Sequence, residues 1–571
     1  MKNILKYYII SGLCTLFLFA HQENTFAQVK KAQFYQCKPC GCDSDDQHFN
    51  KPGNCPSCKM KLESVTASFN KSEDLQEPIS NSLSQKIPLD SLDIYLDQVI
   101  KDFEVVGLSV GIVQNDTVIY SKGFGLREIG KDLKVNDQTA FGIGSISKSF
   151  TALTLGVLVD ERIINWDDRV KDYLPYFELY DPYVTENFTI RDLLTHRSGL
   201  KEVSAGTLWY HSDYSRVEII KRLKYLEPVS GFREKPAYQN IMFVVASEIV
   251  KEVSGMAWDD FLKSRVFDKL EMNNSTSLSK DREANINLAQ PHIWNAEYKK
   301  VSIEQENGDN LGPGGFIYSS AKDMNSYMRF LLKDGVFKND TIVSKNVVDE
   351  LFKPQTLFQI SGPPFGNEFS SYGFGWWLTP WNGHKIIEHS GGIDGMSAQL
   401  FMIKDMNIGV VILCNDSEEP ASFLIKAKIL ELIFNDKTFD MYERGKGYRK
   451  LKIADLKESV TNEIRPKESN PSLPLSSYAA DYNDEMYGDI NLSLTNNDEL
   501  ELSFSHTPLF KGRLIHWQFD TFKIDWYDIR VPDGFMTFNF NSKREILGFS
   551  IDQENLLDVD FGEIEIKKKK N

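Results

Sequence analysis

Residues 141–158 read FGIGSISKSFTALTLGVL, with Ser145 three positions before Lys148 at the mouth of an apolar run. A serine hydroxyl is a weak nucleophile at neutral pH and needs a base within hydrogen-bond reach. A lysine three positions on, in the first turn of a helix, lies on the same face. Burial lowers the pKa of such an amine and frees part of it to act as that base. The start of a helix also aims backbone N–H groups at the same point, which suits a developing oxyanion. The tetrad alone decides little, because Ser-x-x-Lys begins at Ser68, Ser145, Ser198, Ser277 and Ser319. The helix after Ser145 sets it apart. Ile146, Phe150, Leu153 and Val157 mark one helical face, and Leu155, Leu158 and Val159 widen it, so the helix reads as buried nearly all round. Ser198 in HRSGLK and Ser319 in IYSSAK open no comparable helix.

Two further patterns reinforce Ser145. Tyr238-Gln239-Asn240 is the single Tyr-x-Asn among 23 tyrosines and stands just before an apolar helix. A phenol can relay a proton to a leaving group, and an amide can orient a lysine or a substrate amide. His389-Ser390-Gly391 is the single His-Ser-Gly, on an expected strand. There is no Gly-x-Ser-x-Gly, which disfavours a Ser-His-Asp enzyme built on a nucleophile elbow.

In that order, Ser145-x-x-Lys148, Tyr238-x-Asn240 and His389-Ser390-Gly391 resemble the three motifs of the penicillin-recognising serine hydrolases. The branch is the one holding class C β-lactamases, some D-alanyl-D-alanine peptidases, D-aminopeptidases and esterases. IRDLLTHRSGL, GPGGFIYSSAKDM and YGFGWWL extend the likeness over residues 89–436. The resemblance implies that Ser145 attacks a carbonyl and is acylated, with no cofactor for catalysis. Lys148 would be the base, alone or with Tyr238. Tyr238 would protonate the leaving group and activate the hydrolytic water, and Asn240 would position Lys148 and substrate. The backbone N–H groups of Ser145 and Gly392 would form the oxyanion hole. His389 stands where β-lactamases of this branch carry lysine, so the likeness leans to a peptidase or esterase acting on a small peptide or ester. A true β-lactamase and a penicillin- or cell-wall-peptide-binding receptor without turnover remain the rivals.

These residues need an α+β scaffold. LDSLDIYLDQVIKDF, 89–103, has helical apolar spacing, 108–125 alternates as a β-hairpin, 386–416 reads as three strands with glycine-rich turns, and 421–436 as a closing helix. Helices grouped beside an antiparallel sheet imply an α+β domain, and the resemblance implies that it is of the β-lactamase/transpeptidase-like class. His196 is expected to be a structural, hydrogen-bonded histidine. Trp376, Trp377 and Trp381 are expected to pack in the core and strands. The loops within 200–235 and 354–372 are expected to wall the pocket.

The rest of the 571-residue chain brackets this domain. Lys2 and Lys6, the apolar run 7–20 and Thr25-Phe26-Ala27 read as an export signal cleaved after residue 27, with an uncleaved anchor as the alternative. The mature protein is then periplasmic or secreted, with no stable membrane insertion. In 28–64, Cys37-x2-Cys40 and Cys55-x2-Cys58 have the spacing of two zinc knuckles, with Cys42, His48 and Met60 as spare donors. The stretch resembles small bacterial heavy-metal-binding modules and would hold zinc or another heavy metal; disulfides are the other reading. Residues 65–88 read as a linker, 437–475 as a linker with one helix, and 476–566 as a small all-β domain. That last part resembles barrel-like modules appended to this hydrolase branch, with a lid or spacer as its default role. Net charge −16 disfavours a nucleic-acid partner. The terminal KKKK, 567–570, reads as a solvated tail.

Overall fold

The computed structural model describes residues 33–36, 48–49, 51–66, 87–295, 297–359, 369–417, 420–461, 469–553, 556 and 558–570. The chain divides into two compact units, Met1–Gln85 and Lys86–Asn571. The first contains a three-stranded antiparallel sheet in the order His48–Phe49, Gln33–Gln36, Glu63–Thr66. Within CPSCKM the chain folds back on itself. Lys59 N donates to Cys55 O at 3.0 Å, Cys55 N donates to Met60 O at 2.7 Å, and Lys59 takes a left-handed φ of 65°. Cys37, Cys40 and Cys42 lie outside the described residues, as does the export signal. Among the described residues no helix is long and apolar enough to cross a membrane.

The second unit is built on an eight-stranded antiparallel sheet. Its order is Thr356–Gln359, Phe369–Tyr372, Trp377–Trp381, His384–Ile393, Met396–Ile403, Ile408–Cys414, Gly107–Gln114, Thr117–Gly125. Every residue of Ile408–Cys414 is buried, because both sheet faces are covered. Ile408, Val410, Ile412 and Cys414 meet the helices Leu92–Phe103 and Ala421–Phe434 on one face. Val411 and Leu413 join the larger core on the other, with the helices Ser147–Asp160, Ile241–Ser254 and Ala321–Leu332. Both the helices and the sheet expected from the hydrophobic patterning are present. In Leu92–Phe103 the apolar positions Leu92, Leu96, Val99 and Phe103 are fully buried, each contributing about 1.5–3 kcal/mol of burial.

Ser145 lies in a single 3-10 turn, Gly144–Ile146, and the α-helix starts just beyond it at Ser147. From Ser147 to Leu158 every residue of that helix is buried. The strand His384–Ile393 ends against this turn. A Cβ on Gly391 would come within 1.9 Å of Ile143 O, and one on Gly144, whose φ is 53°, within 2.3 Å of Gly392 N. Glycine at both positions lets the two backbones touch, which puts Gly392 beside Ser145.

Within 437–475 the structure forms the helix Tyr442–Thr461. Beyond it eight strands close a barrel, the last being Lys567–Lys568. That strand pairs with Ala480–Asp484 through Tyr482↔Lys568 and with Ile546–Asp552 through Gly548↔Lys567. The lysine run is therefore not a solvated tail. Its backbone completes the barrel while its side chains stay outward, as Lys569 does in pairing with Asp489 at 2.7 Å. The connection between the last two strands leaves the barrel and crosses the α+β domain.

Candidate active site

Lys148 reaches Ser145 from the first turn of its helix, and its side chain is wholly buried. Its Nζ lies 3.0 Å from Ser145 Oγ, 2.6 Å from Asn240 Oδ1 and 2.7 Å from Gly314 O. Oδ1 and the carbonyl oxygen can only accept, so they take two N–H bonds. The third direction faces a hydroxyl, which can donate. The cage thus accommodates a neutral amine that accepts the Ser145 proton as well as an ammonium. Burial lowers the Lys148 pKa, opposed by the negative charge of Asp558.

Tyr238 covers the same amine, with Lys148 Nζ 4.8 Å from its ring centroid. Burial raises the phenol pKa well above its ordinary value, partly offset by a hydrogen bond with Ser145. Tyr238 therefore carries its proton at neutral pH. Asn240 is the residue before the helix Ile241–Ser254 and makes no side-chain cap bond there. Its amide is spent elsewhere: Oδ1 accepts from Lys148, and Nδ2 donates to Asp558 Oδ2 at 2.6 Å. A carboxylate only accepts, so Asp558 dictates which end of the Asn240 amide faces Lys148.

His389 is buried behind these groups. Tyr372 Oη lies 2.9 Å from its Nε2, and its Nδ1 lies 2.6 Å from Ser390 O. The carbonyl must receive a proton, so Nδ1 carries it and Nε2 accepts from Tyr372. Burial lowers the His389 pKa to about 3, with the nearby Lys148 charge acting in the same direction. His389 is therefore a neutral hydrogen-bonding residue. Ser390 is itself exposed and offers this site its carbonyl. His196 is buried, accepts from Gln239 N at 3.0 Å through Nδ1, and packs 4.3 Å from the Tyr238 ring, which is a supporting position. Trp376 is fully buried in the core.

Ser145, Asn240 and Gly392 open on a common cavity. Trp209 and Tyr210, within the 200–235 loop, form part of its wall, as do Phe316 and Leu311. The strands Thr356–Gln359 and Phe369–Tyr372 do not line it, and the loop between them, 360–368, lies outside the described residues. Three carboxylates also line the cavity, Glu306, Asp394 and Asp558, and no sequence pattern singles them out.

Asp558 comes from the connection that leaves the barrel. Its backbone passes so close over Gly206 that a Cβ there would lie 1.6 Å from Asp558 O. Lys201 pairs with Asp560, and Glu563 Oε2 accepts from Ala205 N at 2.9 Å. The C-terminal domain thus completes the wall of the site rather than serving only as a spacer. No motif announces this aspartate; the one sequence hint is glycine at 206, where a strap must pass.

Residues 95–433 match the family model described as Beta-lactamase, and 464–569 match a domain of unknown function, DUF3471. An unguisins hydrolase of Aspergillus campestris is 25% identical over 437 residues, covering 72% of this chain and 78% of that protein. Penicillin-binding protein 4* of Bacillus subtilis is 27% identical over 356 residues, 59% of this chain and 74% of that one. The octameric penicillin-binding protein homologue from Pyrococcus abyssi shares the fold with a TM-score of 0.55 at 21% identity, covering 82% of this chain and 99% of its own. With the family match spanning most of the chain, and with a serine–lysine–tyrosine cluster at its centre, this protein belongs to the β-lactamase family of serine hydrolases.

Proposed function

We propose that the protein cleaves an amide or ester bond through an acyl-enzyme on Ser145, as a peptidase or esterase acting outside the cytoplasm. The observation that carries this reading is the Lys148 cage. Two obligate acceptors and one hydroxyl surround the amine, so its neutral form is poised to take the Ser145 proton. Lys148 is the base in this reading. Tyr238, protonated and hydrogen-bonded to Ser145, gives its proton to the leaving group and recovers one from the Lys148 ammonium, which leaves Lys148 neutral again, and it then positions the deacylating water. The backbone N–H groups of Ser145 and Gly392 hold the oxyanion.

A β-lactam carries a carboxylate beside the bond to be cleaved. The cavity lining has three carboxylates and no lysine or arginine, and His389 is neutral, so the electrostatics disfavour that substrate. The test is intact-mass analysis over time with an activated ester and, separately, a penicillin, on the full chain and on Ser145→Ala. A transient ester adduct that requires Ser145, with product released, supports the reading. Unchanged ester turnover in Ser145→Ala sinks it. Rapid consumption of the penicillin through a Ser145 adduct replaces it with the β-lactamase reading.

A further inference from the structure

The carboxylates of the cavity fall into two groups. Asp558 is engaged by Asn240. Glu306 and Asp394 instead converge on His211, whose Nε2 lies 3.4 Å from Glu306 Oε2 and 3.5 Å from Asp394 Oδ2. That nitrogen is buried and makes no hydrogen bond. Tyr210 Oη donates to Asp394 Oδ2 at 2.7 Å, and His211 N donates to Glu306 Oε1 at 3.0 Å. Arg530, whose charge also reaches Glu306, is taken up by Asp528 through bonds of 2.7 and 2.5 Å, and Arg282 Nη2 donates to the Glu306 backbone oxygen at 2.9 Å rather than to its carboxyl. Glu306 has a side chain only 6% exposed, and burial raises its pKa to about 7. Two carboxyl groups so placed disfavour each other's charge, and His211 and Arg530 offset burial only in part, because the Glu306 pKa stays raised.

The walls say what kind of counter-charge fits. Trp209, Tyr210 and Phe316 present aromatic surface, and Leu311 and Ile393 add apolar surface. Aromatic faces together with carboxylates are the means by which proteins hold organic ammonium groups. Trp209 is nearly fully buried, and its Nε1 has no hydrogen-bond partner. A bare metal ion could span the same three ligand atoms, but it would gain nothing from this apolar lining, which continues to Ser145.

We propose that Glu306 and Asp394 form a cation subsite in the Ser145 cavity, which takes an organic ammonium group of the substrate. The inference rests on the hydrolase reading for its meaning and adds the substrate class: amides or esters of amino compounds with the charged nitrogen left free. The preference is set against carboxylate-bearing substrates by the same two residues.

The experiment is calorimetric binding to the full chain at neutral pH of three probes of one shape, benzylammonium, benzyl alcohol and phenylacetate, with zinc ion as a fourth. Glu306→Gln and Asp394→Asn are run beside the unmodified protein. Benzylammonium is expected to bind about tenfold or more tightly than benzyl alcohol, with phenylacetate weaker still, and each variant is expected to lose about that factor. Benzylammonium is also expected to protect Ser145 from a fluorophosphonate label. Equal binding of the three probes overturns the proposal, as does an ammonium preference that survives in both variants. Stoichiometric zinc binding that needs Asp394, with no binding of benzylammonium, overturns it in favour of a metal site. Should both variants fail to fold, the order of the three probes on the unmodified protein still decides. Failure of the hydrolase reading appears separately, as absence of fluorophosphonate labelling and ester turnover, and leaves the probe binding to be read by itself.

Discussion

Asp558 is the sharpest point at which the catalytic geometry can be tested, because it does two separable things. Its carboxylate fixes the Asn240 amide, and its charge holds up the pKa of Lys148. Asp558→Asn keeps an oxygen that can accept from Asn240 Nδ2 but removes the charge. Lys148 must lose its proton to act as base, so the acid limb of the kcat/KM profile for ester hydrolysis is expected to move to lower pH. Asp558→Leu removes the acceptor as well. Asn240 Nδ2 is then buried without a partner, and nothing stops the amide from turning its N–H groups towards Lys148. A lost hydrogen bond to a charged group is worth about 1.5–3 kcal/mol. If that loss falls wholly on the transition state, kcat drops about 10- to 150-fold. The control is Lys201→Ala, which weakens the pairing with Asp560 two residues away without touching Asn240. It is expected to leave the pH profile where it was. An unshifted acid limb in Asp558→Asn, together with unreduced kcat in Asp558→Leu, would refute the idea that Asp558 acts through Asn240 on Lys148.

Other consequences are more direct. Ser145→Ala removes one oxygen at the half-buried residue of an otherwise buried turn, so melting temperature is expected to change little while labelling by an acylating reagent disappears; persistent labelling of another serine would contradict the assignment. Nitrogen NMR is expected to find His389 neutral, with the proton on Nδ1, throughout pH 5–8, because its pKa is lowered to about 3; titration near its ordinary value would show that the buried pair with Tyr372 opens. Glu306 has its folded pKa raised from 4.5 to about 7 by burial, beside His211, Asp394 and Arg530. Its contribution to stability is therefore complete below about 4.5 and lost as pH rises through about 7. Glu306→Gln is expected to gain on the unmodified protein across that window, by up to about 3 kcal/mol at the alkaline end, in denaturant titrations. Chains ending at residue 566 lose the pairings of Lys567–Lys568 that close the barrel, and are expected to melt earlier and to turn over ester more slowly, since the Asp558 strap is then anchored at one end only.

Legibility in the sequence tracks the range of the interactions. Ser145, Lys148 and the buried helix are local, set by a spacing of three and by apolar periodicity, and they emerge from a single stretch of chain. Tyr238 and Asn240 are legible because they stand directly before a helix, which fixes their direction. The strands of 384–414 announce themselves through alternation and an apolar run. His389 is located by its motif, but its neutrality comes from burial and from Tyr372, which no local pattern displays. Glu306, Asp394 and Asp558 escape notice for a related reason. An acidic residue in a loop reads as solvated surface, and only the tertiary fold shows that these three face inward. Lys567 and Lys568 mislead because a run of lysines describes side chains, whereas the barrel uses their backbone.

The placement of Asp558 bears on why a separate barrel accompanies this hydrolase domain. A single aspartate in the wall could have been supplied by any nearby loop. Here it is held by a segment pinned to Lys201 and Ala205 on one side and returned to the barrel at Lys567 on the other. The barrel itself is docked through Tyr214 Oη on Tyr487 O, through His506 Nδ1 and Asp213 at 2.7 Å, and by stacking of Tyr210 on Phe510. Tyr210 also donates to Asp394, so docking and cavity share a residue. Loosening the barrel would therefore release Asn240 and disturb the Asp394 side of the cavity together. Two effects that share a mechanical cause should not add as independent ones. A double-mutant cycle between Phe510→Ala and Asp558→Leu, read as ester kcat/KM, is expected to show a loss smaller than the sum of the single losses. Strict additivity would mean that the barrel holds Asp558 and Tyr210 in place independently.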